Sequence, residues 1–286
     1  MKLSRDMNIL IVGLGLLGGS YAKALTDKGY NVSAVTRLQD SVDYALENNM
    51  ITSGTTEVSA ETVGKADLII FALYPTVFIE WIEKYQHLIK PGAVITDVTG
   101  VKGSVVYKVQ DALKSDVEYI SAHPMAGKEV SGVANSDPKI FENANYIVVP
   151  TDKNTNDAIE LCEDLGRELG FYCVTRLSVE KHDEMIAFLS QLTHCIAVSL
   201  MCAKDDEGLV KYTGDSFRDL TRIGKINDEM WSELFLMNRE PLLKEIEAFE
   251  KSFTNLKEAL INEDREKMRE MMRTSTIRRK RFDKRG

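Results

Sequence analysis

The sequence predicts an α/β chain: a doubly wound parallel-sheet domain over residues 1–176, followed by an all-helical domain over 177–286. Three observations carry this. Strand-like and helix-like runs alternate from Asn8 to about Val174. A glycine-rich turn joins the first strand to the first helix, and β-branched runs thin out after Ser178, where long helical patterns take over. A hydrophobic content of 44% over 286 residues is ample for a large core.

The first element sets the rest. Ile9-Leu10-Ile11-Val12 reads as a strand buried on both faces, and Gly13, Gly15 and Gly18 follow in G-x-G-x-x-G spacing. In that spacing Gly13 permits the tight turn, Gly15 admits a pyrophosphate to bare backbone, and Gly18 lets the helix pack on the sheet. The free N–H groups of the helix start then face the phosphates. A helix over Ser20 to Lys28, Gly29 and a strand from Asn31 to Val35 complete a β-α-β unit of Rossmann type. The loop residues Gly13, Leu14, Gly15, Leu16, Leu17 and Gly18 are the expected dinucleotide contacts.

The second strand ends Val35-Thr36-Arg37, without the carboxylate that would bind an adenine-ribose 2′-hydroxyl. A hydroxyl and a guanidinium suit a 2′-phosphate, so Thr36 and Arg37 lean the expected cofactor toward NADP over NAD. Strands over Ala66 to Leu73 and Ala93 to Val98 follow, with a helix from Val77 to Ile89 between them. Ligands lie beyond the carboxyl ends of such strands, which places Leu73, Tyr74 and Thr99 beside the cofactor. A helix over Val101 to Leu113 and a strand over Val117 to Ala122 deliver His123-Pro124-Met125-Ala126-Gly127. Tyr146 to Pro150, a helix from Asn156 to Leu169, and Phe171 to Val174 complete the sheet domain.

Four helical stretches fill the second domain: Lys181 to Lys204, Phe217 to Gly224, Glu229 to Asn262 and Asp264 to Arg281. The first is apolar almost all round, which points to burial against more than one partner and to a homodimer. A net charge of −8 argues against a general nucleic-acid binder, and the basic run Arg278 to Arg281 reads as a solvated helix end. Cys162, Cys173, Cys195 and Cys202 form no C-x-x-C pair, and no secretory signal precedes Asn8, so reduced cytoplasmic thiols are expected. No uncharged apolar run was expected to approach the roughly 20 residues of a membrane span, and four scattered histidines argue against a metal site.

His123, at a strand's carboxyl end beside a glycine-containing loop, is the leading candidate to take a hydroxyl proton as hydride departs. A role in capping the strand is the alternative. Ser190, Gln191 and His194 form a polar stripe on the apolar helix, lining a pocket or bonding another domain. Arg218 and Arg222 share a helix face and could clamp carboxylates, or Arg218 could pair with Asp215 or Asp219. His182 beside Asp183 reads as a capping or structural pair.

Together these segments resemble the prephenate/arogenate dehydrogenase family of tyrosine biosynthesis. The shared pieces are Val12 to Ser20, Thr96-Asp97-Val98-Thr99-Gly100-Val101-Lys102, His123 to Glu129 with Ser131-Gly132, Ser190 to His194, and Phe217-Arg218-Asp219-Leu220-Thr221-Arg222-Ile223. The resemblance implies oxidative decarboxylation of prephenate or arogenate, with hydride transfer to NAD or NADP. It implies that His123 bonds the ring hydroxyl, His194 lines the substrate pocket, Arg222 holds a substrate carboxylate and Glu129 sits at the pocket edge. Gly100 stands where many members carry a serine, for which Thr99 could substitute. No room remains for a fused chorismate mutase or ACT domain. The competing readings are a β-hydroxyacid or 6-phosphogluconate-type dehydrogenase, which would want a lysine where the long helix offers His194, and a non-catalytic dinucleotide-binding regulator.

Overall fold

The computed structural model describes residues 2–283. Among these described residues, nine strands lie in two sheets. β1 (Asn8–Val12), β2 (Asn31–Val35), β3 (Ser53–Thr55), β4 (Leu68–Phe71), β5 (Val94–Asp97) and β6 (Glu118–Tyr119) form a parallel sheet of order β3-β2-β1-β4-β5-β6. The order reverses at β1, between β2 and β4, which opens the ligand crevice of a doubly wound sheet. Strand alternation divides the core: Ile9, Ile11, Leu68 and Ile70 face one layer, and Leu10, Val12, Ile69 and Phe71 the other. That double burial is why these strands read as unbroken apolar runs.

Helices α1 (Leu16–Asp27), α2 (Gln39–Glu47), α3 (Ala60–Val63), α4 (Pro75–Tyr85) and α5 (Val106–Ala112) join these strands. Four positions at the N-terminal end of the expected first helix move: α1 starts at Leu16, straight after its N-cap Gly15, because the glycine turn itself is the helix entry.

The strand expected over Val117 to Ala122 is broken in two. Its first half is β6, and the second, β7 (Ser121–Pro124), leaves the parallel sheet to pair antiparallel with β8 (Asn145–Val149). β8 then pairs parallel with β9 (Cys173–Arg176), and α6 (Asn156–Leu169) lies between them in sequence. His123 therefore sits inside a strand of the second sheet, paired with Ile147, and not at the end of a sixth parallel strand.

Beyond β9 the chain is helical. The expected Lys181–Lys204 helix is α7 (Val179–Ile186), a π-helical segment (Ala187–Gln191) and α8 (Leu192–Cys202). The continuous helix Val179–Cys202 contains an 18-residue stretch of mean hydropathy 1.7, long and apolar enough by composition to cross a membrane and a run longer than the sequence suggested. Of its polar side chains, His182, Asp183 and Gln191 are buried and bonded within the protein, as described below. Then come α9 (Asp215–Thr221), a 3₁₀ turn (Arg222–Gly224), α10 (Asp228–Met237), α11 (Arg239–Ile261) and α12 (Arg265–Arg279).

The single helix expected from Glu229 to Asn262 is interrupted at Asn238. This residue is buried and gives its side-chain amide to the Asp183 carbonyl and to Gln191 Oε1, at 3.0 and 2.7 Å. A side chain consumed by tertiary bonds at this point ends α10. The chain divides there into two compact units, one running to Asn238 and the other from Arg239 onward. In the second unit α11 and α12 pack together, and Asp264 caps α12 by accepting the Lys267 N–H.

Candidate active site

The glycine turn is built for close approach. Gly13 has φ +99°, and a Cβ there would lie 2.6 Å from the Ala72 carbonyl; at Gly18 it would lie 1.9 Å from the Gly13 carbonyl. Both positions are therefore closed to side chains by backbone. A Cβ on Gly15 would meet nothing within 4 Å, so the space above it is open. The N–H groups of Leu16, Leu17 and Gly18 precede the first intrahelical bond, from Gly19 N–H to the Gly15 carbonyl, and no acidic residue occupies the first turn. An open cradle of unpaired donors at a helix N-terminus fits a dinucleotide pyrophosphate.

Around the cradle, Leu73 packs against Gly13, and the exposed Tyr74 caps α4 with its hydroxyl beside Asn227. Leu14 donates its N–H to Thr36 Oγ1 at 3.4 Å, and Arg37 is exposed just past the end of β2. Thr99 behaves otherwise than expected. Its buried hydroxyl donates to Asp97 and to the Val101 carbonyl and accepts from Lys102 Nζ, so it faces neither cofactor nor substrate. It cannot replace the serine hydroxyl that the family often places at position 100.

Those bonds belong to a buried polar cluster beneath the site. Lys102 and Asp97 side chains have no solvent exposure and pair at 2.7 Å. Lys102 Nζ also donates to the Ala122 carbonyl, while Asp97 accepts from Tyr119, Ser121 and the Ala122 N–H. Burial pushes the Asp97 carboxyl up, but the Lys102 charge and hydrogen bonds, joined by those of Ser121 and Thr99, hold it below its ordinary value. The cluster ties β5, β7 and the loop between β5 and α5 together on either side of Ala122, the residue before His123.

Gly100 lies in that same loop. A Cβ there would stand 4.0 Å from His123 Cε1 and 3.6 Å from the Leu234 side chain. Position 100 thus adjoins the imidazole, as the resemblance implied, and a side chain would fit. His123 is partly buried and its Nδ1 lies 2.8 Å from His182 Nε2. Burial, the neighbouring His182 and Lys102 together push the His123 imidazole well below its ordinary range. It is therefore neutral at neutral pH, the form a proton acceptor needs.

The polar stripe on the long helix is divided by the π-helical segment. Gln191 is buried and turned inward, donating to the Leu234 carbonyl and accepting from Asn238. His194 is half-buried; its Nδ1 donates to the Ser190 carbonyl at 2.8 Å, and its ring stacks on Trp231 with centroids 3.7 Å apart. Nε2 is left as the acceptor. Burial lowers the His194 pKa, and the charges of Glu129 and Arg222 both act on it. These two residues form an ion pair between the loop after β7 and the 3₁₀ turn. Arg218 does not join them. It is exposed, bonded to Asp215 and the Thr213 carbonyl, so the two-arginine clamp is replaced by Arg222 with Glu129.

Sequence reasoning missed three contributors. Trp231 and Leu234, three residues apart on α10, link His194 to Gly100, but the helix read as part of one long amphipathic run. His182 is no helix cap: Ser178 caps α7 by accepting the Lys181 N–H, and His182 turns to His123. Among the described residues no group of three or more His, Cys, Asp or Glu could hold a metal.

A parallel sheet with an open glycine cradle at its switch point, and a neutral histidine on the strand that leaves that sheet, define the class: a nicotinamide dinucleotide-dependent dehydrogenase. Residues 21–174 match the family model described as prephenate dehydrogenase, nucleotide-binding domain, and residues 178–274 match that described as prephenate dehydrogenase, dimerization domain. The chain belongs to the prephenate dehydrogenase family. It is 29% identical over 275 residues to a prephenate dehydrogenase of Bacillus subtilis, covering 93% of this chain and 74% of the relative. A Lactococcus lactis prephenate dehydrogenase is 31% identical over 250 residues, covering 85% and 68%. The crystal structure of an A. aeolicus prephenate dehydrogenase in complex with hydroxyphenyl propionate and NAD+ superposes with a TM-score of 0.90 at 32% identity, covering 99% of this chain and all of that one.

Proposed function

We propose that the protein oxidatively decarboxylates prephenate or arogenate, yielding 4-hydroxyphenylpyruvate or tyrosine, with His123 as the proton acceptor. The observation that carries the role of His123 is its neutral imidazole, placed beside Gly100 and held at Nδ1. A nicotinamide dinucleotide, when bound at the glycine turn, supplies the hydride acceptor. The ring carbon bearing the hydroxyl gives up its hydride, and the hydroxyl proton passes to His123 Nε2. The bond from the ring to its carboxylate then breaks, its electron pair completing the aromatic ring as carbon dioxide leaves, and the phenolate oxygen takes its proton back from His123. Aromatisation drives the reaction, so the protein has only to orient the ring and hold one proton.

Arg222 is suited to a substrate carboxylate, with Glu129 as the anion it exchanges for the ligand. His194, stacked on Trp231, presents Nε2 as a polar contact on the pocket wall. Thr36 and Arg37 support NADP over NAD, since a hydroxyl and an exposed guanidinium stand where a repelling carboxylate would otherwise be. A homodimer in the cytoplasm accords with the exposed apolar side chains of Phe249, Phe253, Leu256 and Leu260, which recur along α11 at helical spacing.

The test is a two-by-two assay of NAD or NADP with prephenate or arogenate, followed by absorbance of the reduced nicotinamide. Turnover with at least one pair is expected. Silence with all four refutes the assignment, and preference for NAD refutes the roles given to Thr36 and Arg37.

A further inference from the structure

His123 does not stand alone. Its Nδ1 lies 2.8 Å from His182 Nε2, and His182 Nδ1 lies 2.8 Å from Asp183 Oδ1. The Asp183 carboxylate in turn accepts the backbone N–H of Lys102 on Oδ1 and of Gly103 on Oδ2, at 2.9 and 2.7 Å. Its carbonyl accepts from Asn238. His182 and Asp183 are both buried, at 0% and 6% exposure, so water cannot take the place of any partner in this chain.

The hydrogen-bond directions follow from Asp183. Backbone N–H groups can only donate, and as a carboxylate Asp183 can only accept, so the proton between it and His182 belongs to His182 Nδ1. A neutral His182 then has a bare Nε2, which can only accept. The proton between the two rings must therefore sit on His123 Nδ1. That leaves His123 Nε2 as a lone pair, the atom required to receive the substrate hydroxyl proton.

We propose that His182 and Asp183 are positioning residues that lock His123 in its Nδ1–H tautomer and stabilise the imidazolium formed during turnover. The inference rests on the reading of His123 as proton acceptor. Once Nε2 is protonated, the Nδ1–H bond to His182 becomes charge-assisted, and His182 passes the polarisation to a carboxylate already fixed by two backbone donors. Burial, positive charge on His182 and the Lys102 ammonium all disfavour a cationic His123; with His182 neutral and accepting at Nε2, its repulsion is absent and the bond at Nδ1 offsets part of the rest. The other charged groups near the pair, Lys102 and Asp97, are committed to each other and to Ala122, so they offer the imidazolium no hydrogen bond. This also accounts for an ionisable dyad at the buried start of an apolar helix, where capping had already been supplied by Ser178.

The chain has four histidines, His87, His123, His182 and His194, so the ring ¹⁵N signals of the whole protein can be assigned by single substitutions. In the wild type at pH 8, His123 and His182 should both show the Nδ1–H tautomer. His123 observed as the Nε2–H tautomer overturns the proposal without any variant having to fold. His182→Leu should shift the His123 signals away from the pure Nδ1–H tautomer. It should lower kcat by roughly tenfold or more, with a ceiling near the 10⁴-fold loss that follows a fully mis-set tautomer, and leave KM unchanged. His182→Gln, whose amide oxygen can accept from Nδ1–H, should restore most of the rate. A folded His182→Leu with wild-type kcat and tautomer refutes the relay, whereas an active His123→Asn refutes the reading on which it rests.

Discussion

Replacing Lys102 by methionine probes the buried cluster that supports the site. Methionine keeps most of the side-chain volume, so the cavity contribution is small and the change isolates the charge. Three hydrogen bonds disappear, to Asp97, Thr99 and the Ala122 carbonyl, and the wholly buried Asp97 loses its counter-ion. Breaking a buried pair from one side costs about 3–5 kcal/mol, because the remaining charge is left uncompensated. Asp97 retains bonds from Tyr119, Ser121, Thr99 and Ala122, which argues for the lower part of that range. The pH dependence has a definite sign. In the wild type the folded Asp97 carboxyl is held below its ordinary value, so its stabilising contribution is present at neutral pH and is lost only as pH falls through that depressed value. In Lys102→Met burial acts unopposed by the ammonium and the carboxyl rises, so protonation relieves the penalty as pH is lowered. The deficit relative to wild type should be largest near pH 7 and shrink toward pH 5. Urea midpoints followed by tryptophan fluorescence report the relevant unit, since Trp81 and Trp231 both lie before Arg239. A deficit below about 1 kcal/mol at pH 7, or one that grows on acidification, refutes the account of Asp97 and Lys102.

Further outcomes concern the site itself. His123→Asn should lower kcat by about 10²-fold or more without altering cofactor affinity, as loss of a general base requires, and a near-wild-type rate excludes that role. Because burial keeps His123 neutral, the acid limb of the wild-type kcat/KM profile should fall below the ordinary imidazole value near 6.5; a limb above pH 7 contradicts it. Arg222→Ala should raise substrate KM about 10- to 100-fold, equivalent to one or two charge-assisted hydrogen bonds, and an unchanged KM excludes the carboxylate contact. Gly15→Ala should leave thermal stability near wild type, because its Cβ enters open space with φ −103°, yet weaken cofactor binding; calorimetric titration giving an unaltered Kd would remove the pyrophosphate from that position.

Much of the chain was legible because the decisive signals were local. Apolar runs at Ile9–Val12 and Leu68–Phe71, glycines at fixed offsets, and helical periodicity past Ser178 are properties of short windows, and each predicts an element that the structure contains, with the burial of the two strands borne out. The candidate site residues His123, His194, Arg222 and Glu129 were visible through residue type and motif. What those windows could not reveal was which side chains meet. Thr99 was expected beside the cofactor at a strand end, but its hydroxyl is taken up in the interior by Asp97 and by a lysine three residues on. Arg218 and Arg222 share a helix face, yet one is taken by Asp215 and the other by Glu129, 93 positions away.

By itself the sequence determined the parallel sheet and the bare cradle for a pyrophosphate, and it singled out His123 as the candidate proton acceptor, because strand burial, backbone access and side-chain chemistry are written residue by residue. Only the tertiary structure decided that β7 leaves the first sheet, that the long C-terminal helix stops at Asn238, and that His182 and Asp183 close on His123. Each of these follows from pairing between groups distant in the chain, at 22 to 28 positions for β7 with β8, 47 for Asn238 with Gln191 and 59 for His123 with His182, and a hydrogen bond's partner is chosen by where the packed core puts it.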